Sequence, residues 1–290
     1  MKVAGTKIRH HRLTRRFSQV RLANGICTQA TISLIESQNC CPNVRILSKI
    51  CDKLNLPINS VIIRSESRNK LIRIERLILN HRFNSANQLL KLLKPYQFDY
   101  QIDKQRYYCY TGTLADYYCD NRKTLDSFNQ VLNAPEIGNH CFYQAWANAG
   151  VGNFYFEQKN YPKCLRFLRN AEECLGYVQT DRYDEQLEAN VCLRIKVAQL
   201  LIKVRQAKTA RKFIQSMINL LLDNHLMYRL SDAYALLAKI DFKFQDYHQA
   251  LTALKKARFF YQIYDDYDSL TYIQKLIQIT DRKQNVIAEY

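Results

Sequence analysis

The chain has 290 residues and is 47% hydrophobic, with only seven glycines and five prolines; that composition leaves little room for the turns of an all-β fold and favours helices. No apolar run reaches the roughly 18 residues of a membrane span, and the first residues lack the apolar stretch of a secretory signal. The net charge is +17, with 13 Lys/Arg against three acids in residues 1–70 and 30 against 23 in residues 71–290, so the basic excess is concentrated at one end, as in a module that meets a polyanion.

Taken in chain order, Ile8 and Leu13 are spaced as one face of a short helix ending near Arg16. Ser18 can cap a second helix carrying Val20, Leu22 and Ala23. Asn24-Gly25 signals a turn. Thr28 can cap a third, in which Ile32 and Ile35 face inward while Gln29, Ala30, Thr31 and Ser33 stay outside. Cys41-Pro42-Asn43 breaks the chain. Val44, Leu47, Ile50, Cys51 and Leu54 then form a helical stripe. Leu56-Pro57 ends it, and a fifth helix is expected from Ile58 to Ile63.

Five short helices in residues 1–63, with a tight turn between the second and third, predict a compact helix-turn-helix unit. The stretch resembles the phage-repressor (XRE) class of DNA-binding domains. The matching residues are Gly5, Ile8, Arg12, Phe17-Ser18-Gln19, Leu22-Ala23, Ile32-Ser33, Ile35-Glu36-Ser37, Pro42, Leu47, Ile50 and Leu54-Asn55-Leu56. Its short Asn24-Gly25-Ile26-Cys27 turn is similar to the PlcR-type subgroup. That resemblance implies a third helix in the major groove of double-stranded operator DNA. Gln29 would meet an adenine edge, since a carboxamide bonds there bidentately. Ala30 and Thr31 would offer methyls to thymine, or Thr31 a phosphate contact, with Ser33 as a further base contact. Thr28 belongs to the same DNA-facing set, and Gln19 to a phosphate at the start of the second helix. Arg15, Arg16 and Arg45, with Lys7, Arg21 and Lys49, would hold phosphates, which supply affinity while base edges specify. Arg12 and Glu36 would form an internal structural pair. Leu34 stands where the subgroup often has a long polar residue.

From about residue 68 the chain is a succession of helical segments. One register recurs five times: a small residue, a large apolar one at +4 and another apolar one at +7. The anchors are Ala86/Leu90/Leu93, Thr124/Phe128/Val131, Cys164/Leu168/Ala171, Ala210/Ile214/Met217 and Ala250/Leu254/Ala257. Three residues before each stand Phe83, Asn121, Tyr161, Ala207 and Tyr247. The pattern resembles the second half of the tetratricopeptide consensus, with a longer period than its usual 34 or so residues. Tyr267 to Thr280 reads as a capping helix. The expected architecture is therefore all-α: a helix-turn-helix domain over 1–63, then a right-handed superhelix of about five TPR-like pairs with a cap over 64–290.

The combination resembles the peptide-pheromone receptors of Gram-positive bacteria (the Rgg/PlcR, or RRNPP, group). It implies a cytoplasmic quorum-sensing transcription regulator that binds DNA as a homodimer and is gated by a short signalling peptide in the concave face of the repeats. Asparagine and glutamine suit a peptide backbone because one carboxamide both donates and accepts. Asn148, Asn153, Asn190 and Gln199 are the candidates of that kind, with Tyr234 beside them and with Lys196 and Lys239 able to take a terminal carboxylate. In the rival reading the repeats only dimerise or bind another protein. No phosphate-cradling glycine loop, HExxH or cysteine–histidine nucleophile pair is present, so no enzyme is expected. The ten cysteines show no CxxC or CxxH spacing and the six histidines no metal pattern. No metal, cofactor or membrane partner is expected, and the cysteines read as reduced apolar fillers.

Overall fold

The computed structural model describes residues 1–63, 66–98, 100–134, 141–178, 186–227, 229–264 and 266–288; His140 lies outside them. Two compact units result, Met1–Lys70 and Leu71–Tyr290. Among the described residues the regular structure is helical, apart from two isolated bridges, Lys2 with Cys40 and Val3 with Ile62.

The first unit holds α1 (Gly5–Thr14), α2 (Gln19–Ala23), α3 (Gln29–Gln38) and α4 (Val44–Leu54). Ser18, Thr28 and Asn43 cap α2, α3 and α4, each accepting the backbone N–H three residues on at 3.1, 3.2 and 2.9 Å. Such caps satisfy donors that a helix start leaves open. Ile8, Leu22, Ile32, Ile35, Leu47, Ile50 and Leu54 close the core. Gly5 fits because α1 starts against α3: a Cβ there would lie 2.0 Å from the Ile35 carbonyl oxygen.

Three expectations give way here. Leu13 is 54% exposed although Ile8 is fully buried, since five residues put the two about 140° apart on a helix. Val20 and Val44 are also exposed, so the α4 stripe begins at Leu47. The segment from Ile58 to Ile63 forms only a 3-10 turn at Ile58–Ser60. Its backbone is used otherwise: the Ala4 N–H donates to Val61 and the Ile63 N–H to Lys2, a bridge pairing that competes with helix. The next α-helix starts at Glu66.

That helix, α5 (Glu66–Leu79), carries the boundary between the units. It is followed by α6 (Phe83–Lys91), which shares its core. The later pairs are α7 (Gln101–Tyr117) with α8 (Asn121–Leu132), α9 (Phe142–Glu157) with α10 (Tyr161–Tyr177), α11 (Leu187–Lys203) with α12 (Ala207–Asp223), and α13 (Leu230–Lys243) with α14 (Tyr247–Ile263). The last helix, α15 (Tyr267–Ala288), packs on α14 and runs past the expected end at Thr280. Every anchor of the five repeats is buried. Phe83, Asn121, Tyr161, Ala207 and Tyr247 each open the second helix of a pair. The turn before each is the same: a left-handed residue (His81, Cys119, Lys159, Arg205, Gln245), then an N–H bonded to the carbonyl five residues back. That is the Schellman closure.

In the second unit Phe128 of α8 enters between α7 and α9. Its ring faces Gly112 on one helix and Gly150 on the other, and a Cβ at those positions would lie 2.8 and 2.3 Å from ring atoms.

Candidate functional site

Two regions, one in each unit, gather part of the residues singled out above. In the first, a polar chain runs from the core to the surface. Arg12 meets Glu36 through two bonds, Nε to Oε1 at 2.6 Å and Nη2 to Oε2 at 2.9 Å, and its Nη1 donates to the Phe17 carbonyl. Gln19 donates to Glu36 Oε2 at 2.9 Å, and Gln29 donates to Gln19 Oε1 at 2.6 Å. Burial alone would raise the Glu36 pKa. Hydrogen bonds from Arg12 and Gln19, with the charges of Arg12 and Arg9, outweigh it and hold the carboxyl below its ordinary value. A buried ionised pair thus fixes α1 against α3 and, through Gln19, orients Gln29.

The outer face of α3 is free of charge. Gln29, Ala30, Leu34 and Ser37 are exposed, with Thr31 and Ser33 half-buried beside them. Thr28 is exposed, bonds Thr31 Oγ1 at 2.9 Å and caps the helix. Ser37 donates to the Ser33 carbonyl. The cations of the unit stand on other elements. Arg15 donates to the Lys53 carbonyl at the end of α4, whereas Arg45 lies in the first turn of that helix, so the two occupy opposite ends. Arg16 is exposed in the turn after α1, in left-handed conformation, and Arg21 lies 4.5 Å over the Phe17 ring.

In the second unit a cavity of about 380 Å³ is lined mainly by the first helices of the pairs, with Ile78 and Leu79 from α5, Thr113 from α7, Trp146 and Gly150 from α9, and Lys196 and Gln199 from α11. Its walls are apolar with a few directed polar groups, the usual make-up of a ligand site. Trp146 Nε1 donates to Thr113 Oγ1 at 2.9 Å. Arg229, held by Asp232 at 2.5 Å, lines the cavity from the start of α13. Lys196 is half-buried; burial lowers its pKa and the nearby Asp116 charge partly restores it. Asp116 in turn is pushed up by burial, against the Lys196 charge and a 2.9 Å bond from Asn153.

The other candidates scatter. Asn153 belongs to the Asp116–Lys196 group. Asn148 is buried and donates to the Gln144 carbonyl one turn back. Asn190 is buried and accepts from Arg194 Nε, whose Nη2 reaches the Leu175 carbonyl. Tyr234 lines a different cleft, of about 210 Å³, among α12, α13 and α14. Lys239 is exposed and lines neither. Thr113, Asp116 and Arg229 escaped the sequence reading. The signal for the first two is their spacing, polar residues three apart on α7 that flank Leu114 and Ala115. Among the described residues no helix can cross a membrane, and no cluster of His, Cys, Asp or Glu could hold a metal ion.

Comparison with known structures matches both units at once. The crystal structure of Bacillus thuringiensis PlcR in complex with the peptide PapR7 and DNA aligns over 94% of this chain and 99% of that one, with a TM-score of 0.62 and 18% identity. The chain has the fold of the PlcR, ComR and Rgg regulators. Streptococcus thermophilus ComR, in complex with DNA and its signalling peptide ComS, aligns over 96% of this chain and 99% of its own at TM-score 0.55 and 14% identity. The Streptococcus dysgalactiae SHP pheromone receptor Rgg2 aligns over 95% and 98% at TM-score 0.52 and 15% identity. Residues 140–258 match a family described as a C-terminal TPR domain, which covers α9 to α14 of this PlcR-type fold. No curated protein matches by sequence.

Proposed function

We propose that the chain is a cytoplasmic transcription regulator that binds operator DNA as a homodimer and is gated by a short signalling peptide held against the first helices of its repeats. The supporting observation is the fold match over nearly the whole chain to proteins solved with both DNA and a peptide. Local chemistry agrees with it. The α3 face offers uncharged donors, acceptors and methyls, the make-up of base-edge readout, with the cations for phosphate carried by other elements of the unit. In this reading Gln29 contacts a base, assisted by Ala30, Thr31 and Ser33; Arg15, Arg16 and Arg45 hold phosphates; Lys196 and Gln199 meet the peptide in the cavity, and Asn153 steadies Lys196 through Asp116.

Dimerisation follows from the size of the reading head: one ten-residue helix makes few base contacts, and two half-sites about one DNA turn apart double them. Gating requires that the peptide prefer one conformation of the repeats over another. Fluorescence polarisation on a mapped operator, with and without synthetic candidate peptides, tests the reading. Operator affinity should shift at saturating peptide. A tightly bound peptide that leaves operator affinity and dimer geometry unchanged would favour the rival, in which the repeats only dimerise or bind another protein.

A further inference from the structure

The basic excess of the repeat unit is not spread evenly. Residues 71–290 carry a net +7, and α10, α12 and α14 alone hold nine cations against three acids. The cations are Lys163, Arg166 and Arg169, then Lys208, Arg211 and Lys212, then Lys255, Lys256 and Arg258; all but Arg258 are exposed. Glu172, Glu173 and Asp223 stand beyond the cations of their helices, toward the C-terminal ends. The helices are linked through the first helices between them, α11 and α13. Arg194 of α11 reaches both the Leu175 carbonyl of α10 and the ring of Phe213 in α12, and the second cleft lies between α12 and α14.

That cleft is built in a way a merely solvated face is not. Arg211 lies on one wall and Lys256 on the other, with Gln215 and Asn219 of α12 and Gln249 and Thr252 of α14 around them. Asp241, 2% exposed, takes Arg211 Nε at 2.6 Å and so fixes the guanidinium, while 46% of that side chain stays open to solvent. Lys256 is fixed 5.3 Å over the Tyr234 ring. Oriented cations flanked by carboxamides and a hydroxyl are the groups that bond phosphate oxygens.

We propose that the second helices of the last three repeats form a phosphate-binding surface of their own, which takes the sugar–phosphate backbone of nucleic acid independently of the α3 face. A phosphodiester chain fits better than a lipid surface, because four exposed polar side chains, Gln215, Asn219, Gln249 and Thr252, flank Arg211 and Lys256 in the cleft, against one exposed apolar side chain there, Leu222. It fits better than an acidic helix of a protein because cations recur on three parallel elements rather than along one groove.

The test uses the full chain and a long duplex lacking the operator, with affinity measured by polarisation over a salt series. One variant carries Arg166→Gln, Lys208→Gln, Lys212→Gln and Lys255→Gln; a control carries Arg73→Gln, Lys91→Gln, Lys94→Gln and Lys123→Gln. Glutamine is a good helix former at these exposed sites, and circular dichroism checks the fold. The first variant should lose about 3 from the slope of log affinity against log salt and bind at least roughly tenfold more weakly at low salt, while the control changes less. Equal losses in both variants would reduce the effect to net charge and overturn the proposal. So would unchanged binding by the first, or an effect on polyglutamate or anionic vesicles in place of DNA. Gln29→Ala in parallel separates the two surfaces, since operator preference can survive or fail whatever the outer face does.

Discussion

Glu36 is an acid kept ionised inside the first unit by its partners. The bidentate contact with Arg12 and the bond from Gln19 satisfy both its oxygens. Removing the carboxylate while leaving the guanidinium buried is therefore costly: Glu36→Ala should lose about 3–5 kcal/mol at neutral pH, measured by urea unfolding. The sign of the pH dependence follows from the lowered pKa. A carboxyl depressed in the folded state contributes stability above its unfolded value of about 4.3 and loses it as pH falls through the folded one. The gap between wild type and variant should accordingly shrink below about pH 4, and a gap that stays constant to pH 2 would rule the pair out as its source. Gln29 stands at the other end of the same chain of bonds, but exposed. Gln29→Ala should change stability by no more than about 0.5 kcal/mol and weaken cognate DNA binding by about 1–3 kcal/mol, with little effect on non-cognate duplex. Equal weakening on both duplexes would assign it to phosphate, not to a base. The spacing of residues alone carries neither the Arg12–Glu36 contact nor the Gln19–Gln29 bond; the partners are 24 and 10 residues apart, and only the family resemblance suggested the first.

At the scale of elements, the second helices of the pairs carry a recurring register and the first do not, for a physical reason. A second helix buries one stripe and leaves the opposite face in water, so small and apolar residues recur at fixed spacing, as in Ala210, Ile214 and Met217. The first helices α9 and α11 lie between neighbours and are buried almost all round, so no polar face marks them. The turns were hidden as well, because His81, Cys119, Lys159, Arg205 and Gln245 take the left-handed conformation where glycine is the usual signal. Asn148 shows the limit for the cavity: five positions from Asn153, it faces another way. Glycines in the first helices do report packing. The Phe128 ring needs the missing side chains of Gly112 and Gly150, so Gly150→Ala brings a Cβ within 2.3 Å of the ring and should cost about 1–3 kcal/mol by chemical denaturation. Adding Phe128→Leu should recover part of that loss, since contacting residues are not additive. A strictly additive double variant would mean that the ring and the glycine do not constrain each other.

At the scale of the whole molecule, a cavity lined by α5, α7, α9 and α11 draws on residues far apart in sequence, from Ile78 to Arg229. A ligand there touches several repeats, and in a stack where each repeat contacts its neighbours, a shift at one interface passes to the next. That is the physical basis of the proposed gating, and it carries a thermodynamic obligation. If the peptide raises operator affinity by some factor, saturating operator must raise peptide affinity by the same factor. Couplings of this kind are commonly about 1–3 kcal/mol, or roughly 5- to 150-fold. Titration calorimetry of the peptide into the free chain and into the operator complex should therefore give two dissociation constants whose ratio equals the operator shift seen by polarisation. Lys196→Met should weaken the peptide in both titrations, because it removes a cavity cation, while leaving the ratio nearly intact if its role is confined to binding. A peptide constant identical with and without operator would mean that the two units act independently, and the gating proposal would have to be abandoned.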